Sequence, residues 1–433
     1  MHLIQRKKYL NEALRFRDTD LIKVITGIRR CGKSSLLELI ALQLKDEGIA
    51  DTNIIKLNLE SLEVNICSPE ELYQFVKAKL TPGKRCYLFI DEVQNVFGWE
   101  RAVNAMRVDF NCDLYVTGSN AYLLSSELST YLSGRYVEVR MLPLVFAEYL
   151  DFRGLAPAPL AGQEGLLVDK QKNNYLLSTV FADYQRFGGM PALAKPEIDQ
   201  QAHHTYMQAL YDSVITRDIL DRERDKSRRT ITQPDLLRRI CLFLADNIGN
   251  FCSTNNIKNV LEASGRRIGS HTVDAYIEAL LDAYAFYRAK RFDIRGKEHL
   301  KTIDKYYLSD PGLRSYLLGY RDADQGRVLE NIVFLQLLYD GYSVSVGKLY
   351  NKEIDFVAMK DEKRVYIQVT ESMVNSSVID RELNPLLSIK DAYKKIVIVN
   401  GGSHPRNIEG VEIKKATEFL MDTACHPDHY LLS

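Results

Sequence analysis

Hydrophobic and polar positions fall into three successive patterns along this 433-residue chain. In the first, short apolar runs end in polar clusters. "LIKVIT" (21–26) is apolar and β-branched, which predicts a buried strand. Leu36, Leu37, Ile40, Ala41 and Leu44 then recur at helical spacing, and Gly48 is placed to end that helix. "CYLFIDE" (86–92) predicts a strand finishing on two acids, and "DLYVTGSN" (113–120) a strand finishing in a polar cluster. A helix over about 121–132 and the strand "SGRYVEV" (133–139) complete this part. "RGLAPAPLAGQEG" (153–165), rich in Pro, Gly and Ala, reads as an exposed loop.

After Thr230 the pattern changes to short amphipathic helices, three of them between 233 and 283. The third buries Val273, Tyr276, Ile277, Leu280 and Leu281 and turns His271, Thr272, Asp274 and Glu278 outward. The run 286–310 reads as a β-hairpin turning near Gly296. Three helices and a hairpin predict a winged helix-turn-helix. Beyond "RDADQG" (321–326) comes a helix (328–338), strands at "YSVSVGKL", 352–359 and 364–372, a helix at 381–389 and a strand at 394–400. There are no internal repeats.

Charge narrows the function classes. Lys plus Arg and Asp plus Glu both number 57, so there is no global attraction to nucleic acid. A local one remains: Arg288, Lys290, Arg291, Arg295, Lys297 and Lys301 cluster in the hairpin, with Arg266 and Arg267 just before it. Such a wing would hold a phosphate backbone with little sequence preference. No apolar run approaches the ~18 residues of a membrane span, and the first residues lack a signal-peptide core. Seven cysteines without a C-x-x-C pair predict reduced thiols in a cytoplasm. Cys425, His426 and His429 near the terminus read as incidental rather than as a metal site.

The candidate chemistry begins at "GIRRCGKSS" (27–35), which meets the pattern G-x-x-x-x-G-K-[ST] between a strand and a helix. Gly27, Ile28, Arg29, Arg30, Cys31, Gly32, Lys33, Ser34 and Ser35 would wrap a nucleotide's phosphates with backbone N–H groups and a helix N-terminus. Lys33 would reach the β- and γ-phosphates, and Ser34 would ligate Mg²⁺. Asp91 is a second Mg²⁺ ligand, and Glu92 is the candidate to polarise the attacking water. Thr117, Ser119 or Asn120 would contact the γ-phosphate or the water, with Ser119 and Asn120 preferred. Cys31, beside a helix N-terminus, is expected to favour the thiolate.

The succession of phosphate loop, "LFIDE", "TGSN" and "SGRYVEV" resembles an AAA+ superfamily ATPase. More narrowly, "GIRRCGKSSLL" is similar to the archaeal-type ATPases related to the STAND signalling NTPases. The resemblance implies a parallel sheet in order 5-1-4-3-2, binding of ATP rather than GTP, and an arginine finger at Arg135 acting on a neighbouring copy. It also implies that Asn58 restrains the catalytic Glu. The group carries a G-G-x-P motif, matched by Gly188, Gly189 and Pro191 in "RFGGMPA" (186–192), which would close over the nucleotide. "VITRDIL" (214–220) is similar to the group's next lid segment. The last part of the chain resembles the PD-(D/E)XK nuclease fold, with Asp355 and Glu330 at two acidic positions. Gln368 and Thr370 stand where that fold needs an acid and a Lys, so cleavage is expected to be lost unless a lysine such as Lys352 substitutes.

The expected fold class is therefore α/β: a P-loop AAA+ core over 1–150, a helical lid over 151–230, a winged helix over 231–320 and a nuclease-like α/β domain over 321–433. The expected function is an Mg²⁺-dependent ATP-hydrolysing switch or motor, able to form a homo-oligomer. Its C-terminal domains would bind double-stranded DNA or a protein, and no membrane is involved. Two rivals stand beside it: an ATP-dependent nuclease, and a regulator or scaffold that binds nucleotide without turnover.

Overall fold

The computed structural model describes residues 3–121, 132–158, 165–195, 198–221, 231–263, 268–296, 298–299, 303–321, 324–373, 376–402 and 404–425. The expected helix over about 121–132, and Arg266, Arg267, Lys297, Lys301, His426 and His429, lie largely or wholly outside these. The chain forms two compact units: Met1–Met141 with Asp282–Tyr284, and Leu142–Leu281 with Ala285–Ser433.

The first unit opens with helix α1 (Lys7–Leu14) and then alternates strand and helix: β1 (Ile22–Thr26), α2 (Lys33–Asp46), β2 (Ile54–Asn58), α3 (Pro69–Lys79), β3 (Cys86–Asp91), α4 (Trp99–Asp109), β4 (Cys112–Gly118) and β5 (Tyr136–Arg140). The five strands make one parallel sheet in the order β2-β3-β4-β1-β5, the expected order. Strand and helix starts follow local chemistry. β1 is buried at every position, as a β-branched central strand should be. Ser68 caps α3 by accepting from the Glu71 N–H, with Pro69 in its first turn. α3 and α4 bury Leu72, Val76, Trp99, Val103 and Met106 against one face of the sheet. α2 buries Leu36, Leu37, Ile40, Ala41 and Leu44, the helical stripe read from the sequence.

Lys23 breaks the apolar run of β1, yet its side chain is fully buried. Its ammonium pairs with Asp113 on β4, itself fully buried, and lies 4.8 Å from the centre of the Tyr115 ring. Asp113 also accepts from Tyr115 Oη at 3.0 Å and from the Asp18 N–H at 3.1 Å. A charge inside a strand is tolerable only when paired and hydrogen-bonded in this way.

The second unit begins with a helix (Phe146–Arg153) and a three-stranded antiparallel sheet: β6 (Ala156–Pro157), β7 (Leu166–Val168) and β8 (Asn174–Leu176). Helices Leu177–Phe187 and Gln200–Ser213 follow, then a π-helical segment Val214–Asp221. Next come helix Pro234–Asp246, β9 (Phe251–Cys252), helices Thr254–Glu262 and Ser270–Asp282, and β10 (Phe286–Ala289). After them come β11 (Arg291–Asp293), β12 (Glu298–His299) and β13 (Asp304–Leu308). β10, β13 and β9 form a small antiparallel sheet in that order.

The run read as one hairpin serves two sheets. β10 and β13 do pair, from Phe286↔Leu308 to Ala289↔Lys305. Between them, β11 leaves to lie parallel to β14 (Ser343–Leu349) in an eight-stranded sheet. The reason is apolar: Phe292 and Ile294 are buried in one cluster with Leu349, Ile354, Val357 and Tyr366. A solvated wing would leave both in water.

The large sheet continues through β15 (Lys352–Lys360) and β16 (Lys363–Thr370), both antiparallel to their predecessors. β17 (Lys394–Val399) runs parallel to β16, and β18 (Asn407–Ile408) and β19 (Val411–Lys415) close the far edge. Helices Gln325–Tyr339, Ser376–Leu387 and Ala416–Cys425 belong to this part. The expected succession helix, three strands, helix, strand is present. Among the described residues no helix is long and apolar enough to cross a membrane.

Candidate active site

The loop 27–35 joins the carboxyl end of β1 to α2. Its backbone admits few residues besides those present. Gly27 has φ +141°, and a Cβ there would stand 2.2 Å from the Met141 carbonyl oxygen. Gly32 has φ +108°, again in the region that L side chains avoid. Lys33 is buried and folds back, its ammonium donating to the carbonyls of Gly27 at 3.0 Å and Ile28 at 3.2 Å. Ser34 and Ser35 are exposed in the first turn of α2, and Ile28 is buried beneath the loop. Arg30 is exposed in a left-handed conformation, φ +66°. Arg29 reaches Glu60, in the loop after β2, at 3.3 Å.

Cys31 corrects an expectation. It is completely buried, and burial pushes its thiol pKa up despite the nearby Lys33 and Arg6. Desolvation here outweighs the helix N-terminus that was expected to favour the thiolate. The Cys31 carbonyl accepts from Arg6 Nη1 at 3.0 Å. Arg6 is buried and precedes α1, 25 positions upstream in sequence, so no local pattern announces it.

Asp91 and Glu92 leave β3 at the same edge of the sheet as the loop. A single side chain on β4 organises both. Thr117 donates its hydroxyl proton to Asp91 Oδ1 and accepts from the Glu92 N–H at 3.0 Å. Glu92 takes a left-handed backbone, φ +55°, unusual for a non-glycine residue. Its carboxylate accepts from the side-chain amide of Gln94. Asn58 was expected to restrain Glu92; instead it is exposed, and its Oδ1 accepts from the Glu60 N–H at 2.8 Å. Ser119 and Asn120 are buried just past the end of β4, and Gln94 Nε2 lies 3.5 Å from Ser119 Oγ.

Arg135 sits at the opposite edge. It precedes β5, and its backbone carbonyl accepts from the Ile22 N–H where β1 begins. The length of β5, five residues at ~3.3 Å each, separates it from the carboxyl edge by roughly 16 Å. It is exposed, and Nη1 lies 3.3 Å from Asn104 Oδ1. Arg135 therefore does not join the loop, Asp91 and Glu92 of its own chain.

Gly188, Gly189 and Pro191 belong to the second unit, where close packing accounts for both glycines. A Cβ at Gly188 would stand 2.0 Å from Asp310 Oδ1, and one at Gly189 would stand 2.1 Å from the Leu144 carbonyl oxygen. The Gly189 N–H donates to Asp310 Oδ2, and its carbonyl accepts from the Leu144 N–H, both at 2.7 Å. Pro191 opens the short helical turn Pro191–Leu193.

Near the C-terminus, Asp355 and Glu330 do converge, but around a buried lysine. Lys305 on β13 stands 3.1 Å from Glu330, 2.6 Å from Glu353 and 4.0 Å from Asp355. Tyr307 donates to Glu330 at 2.7 Å, and Asp355 accepts from the Val369 N–H at 2.8 Å. Gln368 accepts from the Asp355 N–H, and Thr370 donates to the Ser372 carbonyl. Lys352 points elsewhere, to Ser388 at 2.6 Å. The hairpin's cations are also engaged: Arg288 pairs with Glu278 at 2.8 Å, Arg291 lies over Phe251 and Arg295 over Tyr350.

Sequence reading missed Arg6, Gln94 and Lys305 and undervalued Thr117. Only Gln94 carried a signal, standing two residues after Glu92.

Comparison with known proteins bears on both units. Residues 19–150 match the family model of an AAA domain, and residues 178–324 match a domain of unknown function. An uncharacterised protein of Haemophilus influenzae is 39% identical over 421 residues, covering 97% of this chain and 99% of that one. An uncharacterised protein of Methanocaldococcus jannaschii is 28% identical over 381 residues, covering 87% of this chain and 78% of that one. Among solved structures, a Walker-type ATPase of Pyrococcus abyssi matches 73% of this chain and 96% of its own, at 17% identity and a TM-score of 0.46. The chain belongs to the same family as the Haemophilus influenzae protein, and its residues 19–150 match the AAA domain.

Proposed function

We propose that this protein hydrolyses ATP in an Mg²⁺-dependent cycle and uses the cycle to switch how its second unit engages a partner. One observation carries the reading. A loop whose turns at Gly27 and Gly32 call for glycine, with Ser34 exposed in the first turn beyond it, shares an edge with two acids organised by Thr117.

These residues fit a nucleotide with its metal. The N–H groups of Gly27 to Ser35 and the Lys33 ammonium would hold the phosphates, and the Ser34 hydroxyl and Asp91 would hold Mg²⁺. Bound Mg²⁺ neutralises charge on the phosphate oxygens. Glu92 takes a proton from the attacking water as its oxygen bonds to the γ-phosphorus and the bond to ADP breaks. Thr117 holds Glu92 and Asp91 in register for these two tasks. Asn120 is assigned to the γ-phosphate. Arg135 of a second copy would stabilise the charge that develops, a contribution of about 10³–10⁵ in rate where such fingers operate. Gly189 and Pro191 are assigned to closure over the nucleotide.

In the second unit, helix–strand–helix–helix–strand–strand order with sheet order β10-β13-β9 supports a winged helix. The order helix, three strands, helix, strand supports a nuclease-like fold. Lys305 among its acids, with Gln368 and Thr370 where an acid and a lysine are needed, supports loss of cleavage. Engagement of Arg288, Arg291 and Arg295 within the chain favours a protein partner over DNA.

The test is steady-state ATP hydrolysis across protein concentrations, with and without double-stranded DNA, beside Glu92→Gln. Turnover that rises with concentration, ignores DNA and vanishes in the variant supports the reading. Stimulation by DNA would redirect the second unit to nucleic acid. Binding without turnover under every condition would leave a nucleotide-gated regulator.

A further inference from the structure

Glu92 is held twice, and the second hold is unassigned. Its backbone is fixed by the bond from its N–H to Thr117 and by its left-handed φ of +55°. Its carboxylate is fixed by Gln94, whose Nε2 donates to Glu92 Oε2. The same amide nitrogen lies 3.5 Å from the hydroxyl of Ser119, which is buried past the end of β4. The other end of the amide, Gln94 Oε1, is buried and accepts no hydrogen bond from the described residues. A buried polar atom left in that state is costly, and such costs collect at working sites.

From this geometry we infer that Gln94 is a positioning residue for the reaction: its amide fixes one oxygen of Glu92 and leaves the other to meet water. The inference rests on Glu92 being the general base. The chemistry of an amide suits the task. A lysine or arginine would hold the carboxylate tightly but weaken it as a base, because a nearby cation strongly favours the charged form. An amide donates one hydrogen bond, carries no charge and has no proton to lose at neutral pH. It narrows the rotamers of Glu92 without setting a charge beside it. Because Gln94 follows Glu92 by two residues in the short turn Val93–Asn95, the chain delivers donor and acceptor together.

The experiment compares the full-length wild type with Gln94→Leu, Gln94→Glu and Glu92→Gln. It reads kcat, KM for ATP, ADP affinity and thermal midpoint. Gln94→Leu keeps the bulk and removes the donor. Its kcat should fall by at least about tenfold, a share of the ~10²–10⁴-fold a general base supplies, with KM and ADP affinity unchanged. Gln94→Glu, which removes the donor and sets a second carboxylate against Glu92, should lower kcat at least as far, with KM again unchanged. A folded Gln94→Leu with wild-type kcat, beside an inactive Glu92→Gln, would overturn the inference and leave the ATPase reading standing. A change confined to KM would also overturn it. An active Glu92→Gln would remove the general base and the inference together. If Gln94→Leu fails to fold, the kcat of Gln94→Glu decides: a wild-type value in the folded variant overturns the inference.

Discussion

Arg6 ties the amino-terminal segment to the phosphate loop through one buried charge-assisted hydrogen bond to the Cys31 carbonyl. Such bonds contribute about 1.5–3 kcal/mol. Arg6→Ala should therefore weaken ADP binding by roughly tenfold or more in titration calorimetry, with Arg6→Lys intermediate. Unchanged affinity in Arg6→Ala would mean that the loop holds its shape without help. At this scale the site was legible where chemistry sits in a contiguous string. Gly27, Gly32, Lys33, Asp91 and Glu92 could be named because loop and strand ends are local. Arg6, Thr117 and Gln94 could not be assigned their tasks, because those tasks depend on which atoms the fold brings within 3 Å or so. Cys31 shows the reverse error: position beside a helix N-terminus suggests a reactive thiolate, but complete burial decides its protonation.

At the scale of elements, two buried acids make opposite statements. Asp113 and Lys23 join β4 to β1, both with fully buried side chains. Removing one partner strands the other, so Lys23→Met alone should destabilise by about 3–5 kcal/mol in denaturant unfolding. The double variant Lys23→Met, Asp113→Leu should recover much of that loss; strict additivity of the two single effects would refute the coupling. Asp310 caps the helix Pro311–Leu318 and also accepts from Gly189, and burial pushes its pKa up to about 6 from 3.8. A folded pKa above the unfolded one means that the folded state binds the proton more tightly. The resulting stability is fully present below about pH 4 and is lost as pH rises through about 6, close to 3 kcal/mol in all. In urea unfolding across that window, the wild type should lose stability relative to Asp310→Asn, which cannot titrate. A constant difference between the two would sink the assignment. Elements themselves were mostly legible: strand order β2-β3-β4-β1-β5 matches the expectation. The hairpin over 286–310 was not, because Phe292 and Ile294 read equally well as one face of a hairpin or as a strand of another sheet. Only the presence of β14 and its apolar face selects between them.

For the whole molecule, the position of Arg135 at the amino edge of the sheet predicts catalysis shared between copies. Arg135→Ala and Glu92→Gln should each be nearly inactive alone. Mixed, they should recover part of the wild-type rate, since an assembly of the two contains interfaces with an intact Glu92 facing an intact Arg135. No recovery, with both variants assembling normally, would rule out a finger in trans. The cluster around Lys305 belongs to this scale too. Asp355 and Glu330, which the sequence places at two acidic positions of the fold it resembles, become in the folded chain the setting for an internal cation supplied by β13.

The sequence by itself determined the nucleotide chemistry and the order of the main elements, because phosphate binding, strand burial and helical spacing depend on neighbours within one turn or one strand. The tertiary structure alone decided which side chains hold Asp91 and Glu92, where Arg135 stands and what fills the carboxylate cluster. It alone also decided which sheet β11 joins. Each of these depends on contacts between residues far apart in the chain, and burial sets the energy of every one.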